Sequence, residues 1–234
     1  MKMDIQKDYI SIIVPVYNEE KNIGKLIDNL EKLTGNFEVI FSDGGCKDKT
    51  CQIIEDRIKD KPNYKLIKSE KGRANQMNNG AKESVGDTLF FLHCDSQIEV
   101  DILEKIEAAV NRGVKFGCAK LRFDSRGILM KICGFMSNFR VKHRKIAFGD
   151  QGIFIDRNVF FENGGYRSIP LMEDYQLSID MKEKYPVEQI DSYITTSGIR
   201  FEKNGKLKTM YRMQVLQKMY RDGEDIDKIA FMYK

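Results

Sequence analysis

Residues 10–30 read ISIIVPVYNEEKNIGKLIDNL. The run from Ile10 to Val16 is apolar and β-branched with almost no polar alternation, which is how a strand buried on both faces reads. It breaks at Tyr17-Asn18-Glu19-Glu20. A new period then takes over, with Ile23, Leu26, Ile27, Leu30 and Leu33 on one helical stripe until Gly35 and Asn36 stop it. Strand, polar exit and helix make the repeating unit of an α/β sheet.

That unit recurs downstream. Residues 37–41 (FEVIF) form a second buried strand that runs into the Ser42-Asp43-Gly44-Gly45 loop. Asp48 or Thr50 can cap a helix carrying Ile53, Ile54 and Ile58. A short strand spans Tyr64 to Ile67. A helix with Ala74, Met77 and Ala81 on one face follows Gly72, and residues 88–92 (TLFFL) make a fourth strand. A helix from about Val100 to Arg112 packs Ile102, Leu103, Ile106 and Val110. This alternation predicts a mainly parallel sheet with helices on both faces.

The second half is less regular. Residues 118–123 (CAKLRF) alternate like an edge or antiparallel strand. Ile128 to Phe139 reads as helix, and residues 149–155 (GDQGIFI) as a loop feeding a strand. Glu173 to Lys184 is a further helix. Leu207 to Tyr220 is amphipathic, with Leu207, Met210, Tyr211 and Val215 on one stripe. That stripe could lie on a membrane or pack on the core, and core packing is the commoner outcome.

At 234 residues the chain is expected to be one domain, or at most two halves sharing a core. An apolar fraction of 41% supports a sizeable core. The net charge of +4 comes from 39 basic and 35 acidic residues spread along the chain, so nucleic acid is not an expected partner. Five scattered cysteines without CxxC, and no secretory signal, suggest a reduced, cytoplasmic setting. No stretch approaches the ~20 apolar residues of a membrane span, although peripheral contact stays open. The oligomeric state is not readable.

In an open parallel sheet, ligands bind at the carboxyl ends of the strands. Three exits here are polar: Tyr17 to Glu20, Asp43-Gly44-Gly45 and His93-Cys94-Asp95. Neither GxGxxG nor a P-loop follows the first strand, so a nucleotide would be held another way. Asp43 could accept N3–H of a uracil while Tyr17 stacks on the base. Gly44 and Gly45 allow close backbone approach. Arg73 suits phosphate. Asp95 could hold a hard divalent cation, Mn²⁺ or Mg²⁺, bridging two phosphates. His93 would share its face if the strand persisted, either as a ligand or as a hydrogen-bonded histidine. Cys94 would then face away as a small buried residue.

These residues resemble family 2 of the inverting glycosyltransferases, with the GT-A fold. SIIVPVYNEEKNIGKLIDNL is similar to the family's opening unit, and FSDGGCKDKT to its nucleobase loop. GRANQMNNGAKESVGDTLFFLHCDS resembles the approach to its DxD metal motif. GDQGIFIDRNVFFENGGYRSIPLMEDYQL resembles the acceptor segment that ends in a Glu-Asp pair. The nearest likeness is to a small soluble bacterial branch with GRA-QMN, FLH-DT, GDQG and LMED motifs, some of whose members are assigned to arsenosugar biosynthesis.

The resemblance implies a GT-A-type, Rossmann-like α/β/α sandwich with a mainly parallel central sheet, a single domain over 1–234 with about 1–116 as its nucleotide-binding half and about 117–234 as its acceptor-binding half and C-terminal helices. It implies an enzyme moving a sugar from a nucleotide-diphosphate donor, UDP favoured, to an unknown hydroxyl acceptor, assisted by a divalent cation. Pro15, Tyr17, Asn18, Glu19, Asp43, Gly44, Arg73, Asn78 and Arg200 fall on the donor side. Asp95 and His93 fall at the metal, and Asp174 is the base with Glu173 beside it. Gly149, Asp150 and Gln151 fall on the acceptor side.

Three departures stand out. His93 occupies the place of the first DxD aspartate, Gly44 replaces an aspartate, and Cys46 and Lys49 replace serine and glycine. Two rival readings follow. A sugar nucleotidyltransferase would want a Gly-rich basic loop where YNEEKN stands. A non-catalytic nucleotide-sugar binder is favoured by the single metal carboxylate.

Overall fold

The computed structural model describes residues 5–125, 127–198, 201 and 205–233. Strands β1 (Gln6–Val16), β2 (Phe37–Asp43), β3 (Tyr64–Lys68) and β4 (Gly86–Phe91) alternate with helices α1 (Ile23–Leu30), α2 (Thr50–Ile58) and α3 (Arg73–Lys82). Then come β5 (Gln97–Ile98), α4 (Ile102–Asn111), β6 (Phe116–Phe123) and α5 (Ile128–Arg144). A 3₁₀ turn over Gly149–Gln151 leads to β7 (Ile153–Asp156), α6 (Arg157–Glu162), α7 (Glu173–Lys182) and β8 (Val187–Thr196). Helices α8 (Lys206–Arg221) and α9 (Ile226–Tyr233) follow.

One sheet holds the described strands in the order β3-β2-β1-β4-β7-β6-β8-β5. The pairs β1–β2, β1–β4, β2–β3 and β6–β8 are parallel, and β7 and β5 run against their neighbours. The sheet is thus mixed and mostly parallel. Strand periodicity sorts the core into two layers. Ile12, Val14, Phe41, Phe90 and Phe154 face α1, α2 and α4, where Leu26, Ile27, Ile54 and Ile106 are buried. Ile13, Leu89, Phe91, Phe116 and Ile155 face the opposite way, onto Met77, Ala81, Val141, Phe160 and Leu177. The result is an α/β/α sandwich. A third apolar cluster packs α7, α8 and α9 together through Tyr175, Leu216 and Ile229.

CAKLRF, expected as an edge or antiparallel strand, runs antiparallel to β7 but is not an edge, because β6 also pairs in parallel with β8. The stripe read along α8 is not the packed one. Thr209, Leu216 and Gln217 are buried, while Leu207 and Tyr211 are exposed at 69% and 73%. The apolar spacing was helical, but polar side chains took the inner face because it borders a polar cleft.

Gly117 shows how closely β6 is held. A Cβ there would meet Cζ of Phe154 at 2.4 Å and the Glu188 carbonyl oxygen at 2.6 Å. One obstacle is backbone, so the sheet itself would have to move. Gly117→Ala is expected to lower stability by about 1–3 kcal/mol, read as a fall in the urea midpoint at unchanged slope. An unchanged midpoint would mean that the β6–β8 register is soft.

Candidate active site

Between β1 and β4 the chain switches from winding one way along the sheet to the other, the position where open α/β sheets bind ligands. A cleft of about 400 Å³ opens there. The β1 exit contributes Pro15 and Glu19, α3 contributes Arg73 and Gln76, and the β4 exit contributes His93, Cys94 and Asp95. Asp150, Glu173 and Asp174 also line the cleft, although they lie far away in sequence.

Local structure aims the last three. Met172 takes a left-handed conformation (φ 67°, ψ 17°) and turns the chain so that α7 starts at the cleft with Glu173 and Asp174 in its first turn. Asp174 Oδ2 accepts the Gly149 N–H at 2.7 Å, and Oδ1 accepts the Tyr175 N–H at 2.7 Å. The loop before Gly149 is fixed to the same helix. The Ala147 N–H donates to Ser178 Oγ, whose hydroxyl donates to the Ala147 carbonyl. A Cβ on Gly149 would stand 2.7 Å from His93 Nε2, so only glycine lets the β4 exit and this loop meet.

The cleft is dominated by carboxylates. Arg73 Nη1 lies 3.3 Å from the Glu173 carboxylate, whose side chain is 3% exposed. Burial, then the charge of Asp174, push the Glu173 carboxyl upward, and Arg73 opposes them. Burial raises Asp95 and Glu19 as well. Asp150 is pushed up to about 6, first by burial, with Arg140 pulling down and Asp174 pushing up. His93 is pushed down to about 3 by burial and by Arg73, so it is neutral. Its Nε2, Asp150 Oδ1 and Thr209 Oγ1 line the cleft, are buried and find no hydrogen-bond partner among the described residues. Orphaned buried polar atoms gathered at one cleft point to a ligand.

For a cation the fit centres on Asp95. Its carboxylate is exposed toward the cleft and meets the needs of a hard divalent ion that keeps waters and phosphate oxygens as its other ligands. His93 Nε2 is buried beside the 3₁₀ turn. β4 ends at Phe91, so the expected strand alternation stops short of His93, and Cys94 is buried in the apolar core. Cys94 also lines the cleft.

The loops after β1 and β2 lie beside the cleft. Asp43 Oδ1 accepts the N–H groups of Gly45 and Cys46, and hydrogen bonding holds its carboxyl low against the effect of burial. Lys71 donates to Tyr17 Oη at 3.1 Å and lies 4.3 Å from the ring centre, so one face of the ring already carries a cation.

Several expected contacts are occupied elsewhere. Asn18 braces the loops, its Oδ1 accepting the Lys47 N–H and its own N–H meeting Cys46 Sγ. Asn78 binds the Tyr166 backbone through both ends of its amide. Gln151 is fully buried and accepts from Arg140. Gly44 presses on Gln76, whose amide a Cβ would meet at 2.8 Å. Arg200 lies outside the described residues.

Sequence reasoning missed three participants. Gln76 Nε2 donates to the carbonyls of Val16 and Ser42, joining the ends of β1 and β2. Its signal was a polar residue on the apolar face of α3. Arg140, stacked over Phe148 at 4.1 Å, is the cation beside Asp150. Cys46, read from sequence only as a replacement for serine, groups with Asp43 and Cys51, their ligand atoms within 4.8 Å of one another. Burial, then Asp43, push the Cys51 thiol up to about 12, so it stays protonated.

The sequence profile described as Glycosyl transferase family 2 matches residues 11–162. The chain belongs to glycosyl transferase family 2. This family 2 chain is 27% identical to the dolichol-phosphate mannosyltransferase of Pyrococcus furiosus over 94% of its own length and 66% of that protein's. Residues 1–349 of Staphylococcus aureus TarS, solved with UDP-GlcNAc, superpose with a TM-score of 0.63 at 22% identity, over 80% of this chain and 58% of that fragment. The mannosyltransferase PcManGT of Pyrobaculum calidifontis, solved with GDP-Man and Mn²⁺, gives 0.66 at 17% identity, over 80% of this chain and 56% of PcManGT. These superpositions establish the GT-A fold. The chain spans less than two thirds of each of these proteins.

The raised carboxyl of Asp150 sets a pH dependence. Between about pH 4 and pH 6 the folded chain keeps a proton that the unfolded chain has released, so stability falls as pH rises through that window. In metal-free buffer, Asp150→Asn should unfold later than the wild type at about pH 8, by on the order of 2 kcal/mol, and match it near pH 4. A gap that does not vary with pH would detach the effect from this charge.

Proposed function

We propose that this chain is an inverting glycosyltransferase that moves a sugar from a nucleoside-diphosphate donor to an acceptor hydroxyl. The observation that carries the reading is one cleft holding Arg73 and Asp95 at the strand switch point together with Asp174 at the start of α7. The first group suits a diphosphate, and the second suits a proton acceptor. The family's named members support the reaction class.

Residues up to about 116 would bind the donor, and the later ones the acceptor. Asp43 would take N3–H of a uracil, which favours UDP, and Tyr17 would offer its free ring face to the base. Asp174 is held by two backbone N–H groups and keeps lone pairs for the acceptor proton. It takes that proton as the acceptor oxygen bonds to the anomeric carbon and the bond to the diphosphate breaks. With one base and no enzyme nucleophile, the anomeric configuration inverts. Arg73, released in part from Glu173, balances charge on the departing diphosphate. A divalent cation bound at Asp95 would add positive charge at that same place. Asp150 and Gly149 lie on the acceptor side. The GRA-QMN and GDQG motifs favour the small bacterial branch of the family.

Thermal unfolding with UDP, GDP, CMP or dTDP, each with and without Mn²⁺, should show one nucleotide stabilising the chain, and more strongly with the ion. Asp174→Asn should keep that stabilisation and lose transfer by about 10²–10⁴-fold. Wild-type turnover in this variant would remove Asp174 as the base. Absence of any nucleotide response would remove the donor site.

A further inference from the structure

The surface formed by α5 and α8 is unlike the rest of the molecule. Ile128, Ile132, Phe135 and Phe139 recur at helical spacing along α5 and are 77%, 46%, 65% and 46% exposed. On α8, Leu207 and Tyr211 are exposed as well. The two stripes meet at a groove of about 420 Å³, walled by Met136 and Phe139 from one helix and Met210 and Tyr211 from the other. Such contiguous apolar exposure marks an interaction site.

The charge on these helices is equally one-sided. α5 carries four Lys or Arg and α8 carries five, and neither contains Asp or Glu. Elsewhere acidic residues are plentiful, since the chain has 35 of them. Exposed apolar stripes on purely cationic helices are the signature of a segment lying in a membrane interface. No helix among the described residues is long and apolar enough to cross a membrane. A second copy is a poor occupant, because a symmetric pairing would set this cationic face against itself.

We propose that the α5–α8 face docks on an anionic lipid bilayer. The apolar side chains enter the acyl boundary, and Lys131, Lys142, Arg144, Lys208 and Arg212 meet lipid phosphates. The groove shares Phe148, Asp150 and Met213 with the catalytic cleft, so the docked protein opens that cleft toward the lipid. Docking is independent of the transferase reading and is measured without any substrate.

The test is co-sedimentation of the whole chain with vesicles of phosphatidylcholine alone or mixed with phosphatidylglycerol. Binding is expected with the anionic vesicles, weakening as salt rises, and little with the neutral ones. Ile128→Ser with Phe135→Ser, both exposed and outside the cleft, should lower partitioning at least about tenfold at unchanged melting temperature. Lys131→Glu with Lys208→Glu should do the same on anionic vesicles only. Equal binding to both vesicle types, wild-type partitioning by the variants, or no binding at all would overturn the proposal. So would a dimer, seen by light scattering, that the apolar variant dissociates.

Discussion

One side-chain amide ties the two strands on which the donor loops depend. Gln76 reaches out of α3 and donates both its N–H bonds, to the last turns of β1 and β2. The Val16 carbonyl also accepts the Gly44 N–H at 3.1 Å, so the Gln76 amide and the loop after β2 close the end of β1 together. Gly44 is the other half of the arrangement, because any side chain there would displace that amide. The separation of β1 from β2 at their carboxyl ends is thereby fixed, and so is the position of Glu19 and Asp43 relative to the cleft.

A second constraint is electrostatic. Glu19, Asp95, Asp150, Glu173 and Asp174 converge on one concavity, and desolvation makes several of them reluctant to ionise. Two arginines on different helices hold the group together. Arg73 reaches Glu173 from α3, and Arg140 faces Asp150 from α5. A site short of positive charge in its resting state is well matched to ligands that arrive with a cation.

The first half of the fold was legible because its strands are buried on both faces and write themselves as uninterrupted β-branched runs. β6 was read as an edge or antiparallel strand because Lys120 and Arg122 alternate with apolar residues, and it is antiparallel to β7 but interior. Yet Lys120 reaches outward to Asp191, and Arg122 bonds Thr195 on β8, so an interior strand can look like an edge one. The polar strand exits located the cleft. The contacts of Asn18, Asn78 and Gln151 were illegible, since a short polar side chain can serve a ligand or a neighbouring backbone equally well. Gln76 and Arg140 act through partners distant in sequence, which no local pattern reveals. The family resemblance supplied Asp174, whose acidic pair alone reads as an ordinary helix start.

The continuous sheet also has a mechanical meaning. β4 and β7 pair along their shared length, so the strands of the first and second halves of the chain form a single floor under the cleft. The two sides cannot part like jaws without breaking strand-to-strand hydrogen bonds. Helices α8 and α9, by contrast, rest on α7 through apolar contacts around Leu216 and Ile229 and through side-chain hydrogen bonds from Tyr220 to Gln176 and from Arg221 to Tyr175. Side-chain contacts can be exchanged one at a time, where a strand ladder breaks as a unit. The roof of the cleft, which includes Thr209, Met213 and Tyr233, is therefore the part that can yield to a guest, while the floor holds still.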